Sequence, residues 1–498
     1  MFVYFFTILL IYFAWKVRGY FSFNEPVNLS KSSTPLIKTS ISIAFMSQAE
    51  IFNYLRRNAV QFNGSYVSRF FGMWNFHVCS AKDVEIVLGT SKHINKRNIY
   101  NFLHPFLKTG LLTSNGEKWH NRRRLLTPAF HFDVLKEYYE VFKEESDKLV
   151  LALREEAGKE LNIVPISTQF TLNTICESAM GVKLSDLGND GIVYRENIYK
   201  VGKLLFARLV RPWLRLNFLY SIMGYKKQLD EVLEPVLAFT ESIIKRRRQN
   251  FVGDESPTVE IESNENIYFR AKKRKRYAMM DTLLQAERNG LIDEEGIIEE
   301  TDTFTFEGHD TTSSAITFTL LLLAHHPEVQ QKIFAEIREI QGTNAEMTME
   351  DLSKMEYIDR VIKESLRIYP PVPFISRELS EDFIHDGFTQ PKGSACNIHI
   401  YDIHRDPTAF PDPEKFDPDR FLPENCENRS NFAFIAFSAG MRNCIGQRFA
   451  MLELKTTLAK IITCFEIVRV TKRDEVVFLG DLVLRAKDPI KMKFLLRN

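Results

Sequence analysis

Apolar residues recur at three- and four-residue spacing along most of this chain, with charges between them. That period marks helices laid against a core. Residues 133–158 (DVLKEYYEVFKEESDKLVLALREEAG) show it clearly, and residues 226–250 repeat it and end in Lys245, Arg246, Arg247 and Arg248. A further helix is predicted to start near Glu294 and to turn strongly apolar from Phe304 to Ala324. Pro327, just after His325 and His326, fits the first position of the next helix. One helix is predicted over 348–368, stopped by Pro370-Pro371. From 374 to 400, short alternating runs such as 395–400 predict strands. The stretch 405–431, rich in Pro, Asp and Asn, reads as an ordered loop; a last helix is predicted over 447–462, and the final 35 residues alternate like strands. The fold class is mainly α with small β-sheets, and no internal repeat is present.

Two stretches break the pattern. Residues 2–15 (FVYFFTILLIYFAW) carry no charge, and Tyr20, Phe21 and Phe23 follow beyond Lys16 and Arg18. A spanning helix needs about 20 residues, so the predicted membrane anchor runs over 1–23, with snorkelling cations and interfacial aromatics. No small-residue cleavage site follows, and the cations on its C-terminal side predict a cytosolic main domain. Asn28, Asn63 and Asn428, each in an Asn-x-Ser match, would then be out of reach of glycosylation. Residues 252–276 are polar and close with Lys272-Lys273-Arg274-Lys275-Arg276. They read as a surface loop; a solvated face is the common outcome of such a run, a nuclear signal or an acidic-lipid contact the functional one. With 24–49 as a connecting segment, 50–498 is predicted to form one catalytic domain.

Composition narrows the function. A net charge of +1 over 498 residues argues against nucleic-acid binding driven by bulk charge. Forty phenylalanines suggest a large apolar interior, with room for an apolar pocket. The six cysteines (Cys79, Cys176, Cys396, Cys426, Cys444 and Cys464) lie far apart, without a Cys-x-x-Cys pair or a zinc-type cluster. They read as reduced thiols of a cytosol-facing domain.

The chemistry concentrates at Phe437-Ser-Ala-Gly-Met-Arg-Asn-Cys-Ile-Gly446. Cys444 stands in a glycine-flanked loop leading into a helix, where the helix dipole and backbone N–H groups favour a thiolate. Gly440 and Gly446 permit tight turns and close approach of a flat ring. A thiolate axial ligand pushes electron density onto iron and favours O–O cleavage; the common alternative for a free thiol is an inert buried Cys. This run resembles the haem-binding loop of the cytochrome P-450 superfamily. Three further patterns of that family follow its order: Gly308-His-Asp310-Thr311-Thr312, Glu364-Ser-Leu-Arg367 and Pro418-Asp-Arg420-Phe421.

The resemblance implies the cytochrome P-450 fold, with haem b held between helix I and the Cys444 loop before helix L. Cys444 is then the iron ligand. Glu364, Arg367 and Arg420 form a buried network that fixes the loop. Gly308 brings helix I close to the haem, and Thr311 bonds back to a carbonyl one turn earlier and locally opens the helix. Asp310 relays protons. Trp119, Arg123, Arg377 and Arg442 are the implied propionate contacts, a surface charge being the alternative for Arg377.

Finer matches resemble family 4, the fatty-acid ω-hydroxylase branch: Gly116-Glu-Lys-Trp-His120, Leu126-Thr-Pro-Ala-Phe-His131, Phe306-Glu-Gly-His-Asp-Thr-Thr312 and Pro371-Val-Pro-Phe-Ile-Ser-Arg377. The likeness covers roughly 50–498; residues 24–45 lack the branch's Pro/Gly-rich hinge, and Asn173, Ala436 and Met441 depart from its usual residues. Glu307, four residues before Thr311, shares its face of the helix. A carboxyl there is either a protonated, hydrogen-bonded acid or, as the matching Glu of the branch can be, an ester with a haem methyl.

The implied activity is insertion of one oxygen atom from O2 into an apolar substrate: a fatty acid or similar lipid, a hormone or a foreign compound. NADPH would act only through NADPH-cytochrome reductase, since this chain has no dinucleotide fingerprint. A basic proximal face would receive that acidic partner. Cytochrome b5 is a second implied electron donor, and the endoplasmic reticulum membrane the implied location. The rival readings are a peroxide-isomerising haem-thiolate enzyme and a non-enzymatic carrier of haem or apolar ligand.

Overall fold

The computed structural model describes residues 36–38, 41–62, 64–70, 73–96, 98–251, 277–342, 346–385 and 387–497. The predicted anchor and the basic run 272–276 lie outside these.

In chain order, strand β1 (Leu36–Lys38) and helix α1 (Gln48–Phe62) precede β2 (Tyr66–Phe70), β3 (Met73–Val78) and α2 (Ala81–Leu88). Then come α3 (Gly116–Leu126), α4 (Phe132–Glu155), β4 (Leu161–Asn162), α5 (Ile163–Ser178), α6 (Asp190–Val210), α7 (Tyr225–Asn250) and α8 (Met279–Arg288). The second half holds α9 (Glu294–His325), α10 (Pro327–Gln341), α11 (Met349–Lys354) and α12 (Glu356–Ile368). Strands β5 (Ile375–Glu378), β6 (Phe383–His385), β7 (Phe388–Gln390) and β8 (Ala395–Ile398) follow, then α13 (Gln447–Cys464), β9 (Phe465–Arg469), β10 (Phe478–Leu479), β11 (Arg485–Ala486) and β12 (Lys491–Leu496). The mainly α class with small sheets holds: one sheet has the order β1-β2-β3-β8-β5, and the others have two or three strands.

Helix α9 is the axis of the molecule. Asp293 caps it by accepting from the Gly296 N–H at 2.9 Å, and Glu294 and Glu295 sit favourably in its first turn. Its C-terminal half, with Phe318 and Leu320–Leu323, is buried in one apolar cluster with α10, α12 and α13. Its N-terminal half joins a second cluster with α3–α8. A third, smaller cluster lies between the five-stranded sheet and α2.

The structure corrects two boundaries. The helix predicted over 348–368 is two helices, α11 and α12, joined at Met355 (φ −76°, ψ 90°). Thr348 and Asp351 close a capping box on α11, and the Glu336 carboxylate accepts from the Tyr357 and Ile358 N–H groups (2.6 and 3.0 Å), capping α12 separately. Strand β8 ends at Ile398 because a short helical turn, Ile400–Ile403, begins there.

Candidate functional site

The loop before α13 folds back on itself. The Cys444 N–H donates to the Phe437 carbonyl (2.9 Å), Asn443 N–H to Gly440 (3.1 Å) and Ser438 N–H to Ile435 (2.8 Å). Gly440 has φ +68°, and any Cβ there would run into the Leu88 carbonyl at the end of α2. Only glycine fits. Gly446 has ordinary backbone angles, and a Cβ on it would come no nearer than 3.8 Å to Phe130, so its role is not a strained turn. It supplies an N–H to Cys444 instead, ahead of the α13 N-terminus.

The Cys444 side chain is exposed, yet protein surrounds it. It faces an internal space, and Glu307 of α9 stands across from it. Burial raises the thiol to about 11, aided by the Glu307 carboxylate and opposed by the Gly446 N–H and the Arg123 charge. Such a thiol ionises when a bound metal displaces its proton.

Glu307 and Thr311, like Gly308, are only half-buried along the stretch 299–324 of α9, which is otherwise buried, so this face opens on the same space. Burial pushes the Glu307 carboxyl up to about 7, moderated by the Lys96 ammonium. The Thr311 hydroxyl donates to the Glu307 carbonyl at 2.7 Å, the expected back-bond. The helix nevertheless runs unbroken through this point, so the expected local opening is absent. Back-bonding adds a donor to a carbonyl without removing the helical amide. The half-buried Gly308 also leaves room for Ile175 of α5, which a Cβ would meet at 2.7 Å.

Asp310 points elsewhere. Arg485 Nη1 and Nη2 donate to its two oxygens (3.0 and 2.7 Å), Arg485 Nε donates to Asp481 (3.0 Å), and the guanidinium lies 4.1 Å from the Tyr199 ring centre. A cavity of about 40 Å³, room for one water, adjoins Asp310, Tyr199, Ser313 and Arg485.

The four expected propionate contacts divide. Arg377 is fully buried and donates to one neutral acceptor, the Ser376 carbonyl (3.0 Å). Arg442 donates to the carbonyls of Ile94, Leu111 and Ser114 and to Asn115 Oδ1 (2.6–3.3 Å), all neutral, and lies 4.1 Å from the buried Trp119 ring centre. Burial and the Arg377 charge lower Arg442 to about 9. Arg123 has another task, since Nη1 and Nη2 donate to the Asn443 carbonyl and Oδ1 (both 2.8 Å), gripping the residue before Cys444.

Lys96 was missed. It is buried over the Tyr100 ring (4.3 Å), its loop fastened by Asn115, and burial with the Arg377 and Arg442 charges lowers its ammonium well below the usual range. Nothing in the run around it distinguishes Lys96 from a surface lysine, because its burial depends on Tyr100 and Asn115.

Lys96, Arg377 and Arg442 thus converge without an ion-pair partner among the described residues. Buried cations are costly unless paired. A flat, dianionic group carrying a thiolate-binding metal would supply the missing charge between this cluster, Cys444 and Glu307. Haem b fits these residues.

The supporting network is buried too. Arg367 Nε and Nη2 donate to the two Glu364 oxygens (2.7 and 2.8 Å), both side chains fully buried, and Arg420 Nε lies 3.4 Å from Glu364 Oε1. Arg367 Nη1 donates to the His404 carbonyl (2.9 Å), and His404 Nε2 accepts the Ile435 N–H (2.9 Å) at the root of the Cys444 loop. Burial and the Arg367 charge push His404 down to about 3, which keeps it neutral as that acceptor.

One other donor grouping, Cys79, His399 and Asp402, has its ligand atoms within 4.8 Å of one another. Arg56 Nη2 sits between its members, 3.0 Å from His399 Nδ1 and 2.7 Å from Asp402. The guanidinium takes the place a cation would fill.

Comparison with known proteins agrees with this geometry. The family model described as Cytochrome P450 matches residues 32–494. The chain is 43% identical to "Probable cytochrome P450 4ac2" of Drosophila melanogaster, over 92% of this chain and 87% of that protein. It is 40% identical to "Cytochrome P450 4V2" of Mus musculus, over 84% of this chain and 79% of that one.

Proposed function

The chain belongs to the cytochrome P450 family, and from that premise we propose that this haem-thiolate monooxygenase hydroxylates a fatty acid or similar lipid chain at or near its apolar end. The observation that carries the haem reading is the cation cluster of the buried Lys96 and Arg377 with the half-buried Arg442, without an ion-pair partner among the described residues, on a site that also presents Cys444 and Glu307. Bound haem supplies the activation of O2 and the insertion of one oxygen atom, the other leaving as water.

This chain's residues do the rest. Cys444 binds the iron through sulfur, and Arg123 and the Gly446 N–H bear on that sulfur. Thr311, whose hydroxyl is bonded to the Glu307 carbonyl on the open face of α9, would orient a proton donor beside the cofactor, and Asp310, held by Arg485, would be the relay behind it. Glu307, half-buried across from Cys444, would restrict which part of a floppy substrate chain approaches the cofactor, favouring its terminal carbon. The exposed Arg124 and Arg448, beside Arg123 and four residues past Cys444, offer an acidic NADPH-cytochrome reductase a docking face, with cytochrome b5 as a second donor. The localisation that goes with these partners is the endoplasmic reticulum membrane, anchored by residues 1–23 with the catalytic domain in the cytosol.

The ferrous carbon-monoxide complex tests the centre. It should show the red-shifted Soret band of thiolate ligation, and Cys444→Ala should abolish that band; a band that survives the substitution overturns the assignment. Glu307 has two chemical fates, and we take the free acid as the resting one. On denaturing chromatography after turnover, haem should separate from the polypeptide as it does in Glu307→Ala. Haem that travels with the chain and is released by base would mark the ester.

A further inference from the structure

Helix α9 buries more carboxyl groups than the chemistry above uses. Successive residues turn by about 100° around a helix, so Gly296, Glu300, Thr303, Glu307 and Thr311, spaced by three or four, share one face. That face looks toward α3 and the loop 108–114, and it ends at the half-buried Glu307 and Thr311.

From Glu300 onward each step carries a proton-bearing group, with Glu299 beside its start. Glu299 Oε1 accepts from Lys118 Nζ (2.9 Å), and the Lys118 side chain is 41% exposed, so this end reaches solvent. Glu300 is fully buried: Oε2 accepts the Leu111 N–H at 3.0 Å, while Oε1 has no hydrogen-bond partner among the described residues and lies 3.6 Å from Arg122 Nε. One turn on, the buried Thr303 Oγ1 also lacks a partner among the described residues. Glu307 follows on the next turn, and the Thr311 hydroxyl is bonded to its carbonyl.

A purely structural role explains part of this. Glu299 and Glu300 Oε2 clamp Thr109 and Leu111 of the loop. It leaves the bare Glu300 Oε1 and Thr303 Oγ1 unexplained, since buried polar atoms are ordinarily bonded. Meanwhile Asp310 is held by Arg485.

We propose that the Glu300–Thr303–Glu307 face of α9 is a second proton path, carrying protons from solvent beside Lys118 and Glu299 to the Thr311 hydroxyl. Reduction of O2 with hydroxylation of a C–H bond takes up a pair of electrons and a pair of protons and releases one water. The electrons come from the redox partner of the monooxygenase. The path supplies the protons: each carboxyl that gives one up is recharged from the group behind it, so none is consumed. Burial raises Glu300 and Glu307 to about 7, so both exchange protons near neutrality. Around Glu300 this balances the Arg122 cation of α3 and the Leu111 N–H against Glu299 and Glu307 of its own helix. The path rests on Glu307 being a free acid.

The test uses the full haem-loaded chain with its electron donor, comparing wild type with Glu300→Gln, Glu300→Asp and Thr303→Val. Gln keeps an acceptor for Leu111 but carries no proton. In resting protein, infrared difference spectra should show a carboxyl C=O band that titrates near neutrality and is missing from Glu300→Gln. In turnover, Glu300→Gln should lower product per electron pair several-fold, divert oxygen to peroxide, raise the solvent isotope effect and remove a limb near neutral pH from the rate profile. Glu300→Asp should restore most of it. If Glu300→Gln keeps its thiolate Soret band, and coupling, isotope effect and pH profile are unchanged, the proposal fails. If it loses haem, Thr303→Val carries the test, and unchanged coupling there overturns the path. Denaturing chromatography on the same wild-type samples separates the two readings: haem wholly bound to the polypeptide in a fully coupled enzyme rules out the free acid, and the path with it.

Discussion

Single residues here are specified by what they lack. Arg377 has no carboxylate and Gly440 has no side chain, and each absence is a fitting requirement. At Gly440 two terms add: a left-handed backbone costs a non-glycine residue roughly 1–2 kcal/mol, and a Cβ would overlap the Leu88 carbonyl, which is backbone and cannot rotate away. Gly440→Ala should therefore displace the Cys444 loop. Purified protein should hold much less haem, measured by the carbon-monoxide spectrum per polypeptide, while far-ultraviolet circular dichroism stays close to wild type. Gly446→Ala, with normal backbone angles and free space nearby, should lose far less.

At the scale of an element, α9 sets a pH dependence. Burial raises Glu300 and Glu307 from 4.5, and Asp302 from 3.8, to about 7 in the folded chain. Between the unfolded and folded values the native state binds more protons than the unfolded one, so stability falls as pH rises through that window. Haem-free protein should unfold at lower denaturant concentration at pH 7.5 than at pH 5.5 as far as these groups decide it. Asp302→Asn should flatten that slope; Asp302 accepts from Thr240 Oγ1 (2.5 Å), a bond Asn can keep. A slope unchanged in Asp302→Asn would show that the helix does not set it.

For the whole molecule, the Glu364–Arg367 pair links parts that are distant in sequence. Through Arg367, His404 and Ile435 it joins α12 to the loop that carries Cys444, and through the Asp417 N–H (2.9 Å) and Arg420 it holds the 405–431 segment. Arg367→Met would leave a buried carboxylate without its partner, a loss of about 3–5 kcal/mol. We expect it to yield aggregated or haem-free protein. Changing the pair together to Glu364→Gln and Arg367→Met should recover part of the stability, measured by denaturant unfolding, because the fully buried carboxylate is then gone, while the less buried Arg420 keeps its bond to the Asp412 carbonyl.

Several long helices, the Cys444 loop and its family could be read from the sequence alone, since these depend on local period, glycine placement and short motifs. The sequence placed α9 from near Glu294 to Ala324, and it identified Glu307 and Thr311 as neighbours on one helical face, because spacing alone decides that. It merged α11 and α12, whose break is set by contacts from Glu336. It could not place Lys96, which is buried only by Tyr100 and Asn115, or His404, which works only between Arg367 and Ile435. Nor could it turn Asp310 toward Arg485, 175 residues away. Those outcomes depend on which surfaces meet. Burial, unlike periodicity, belongs to the folded chain, and burial decides which charges must find a partner.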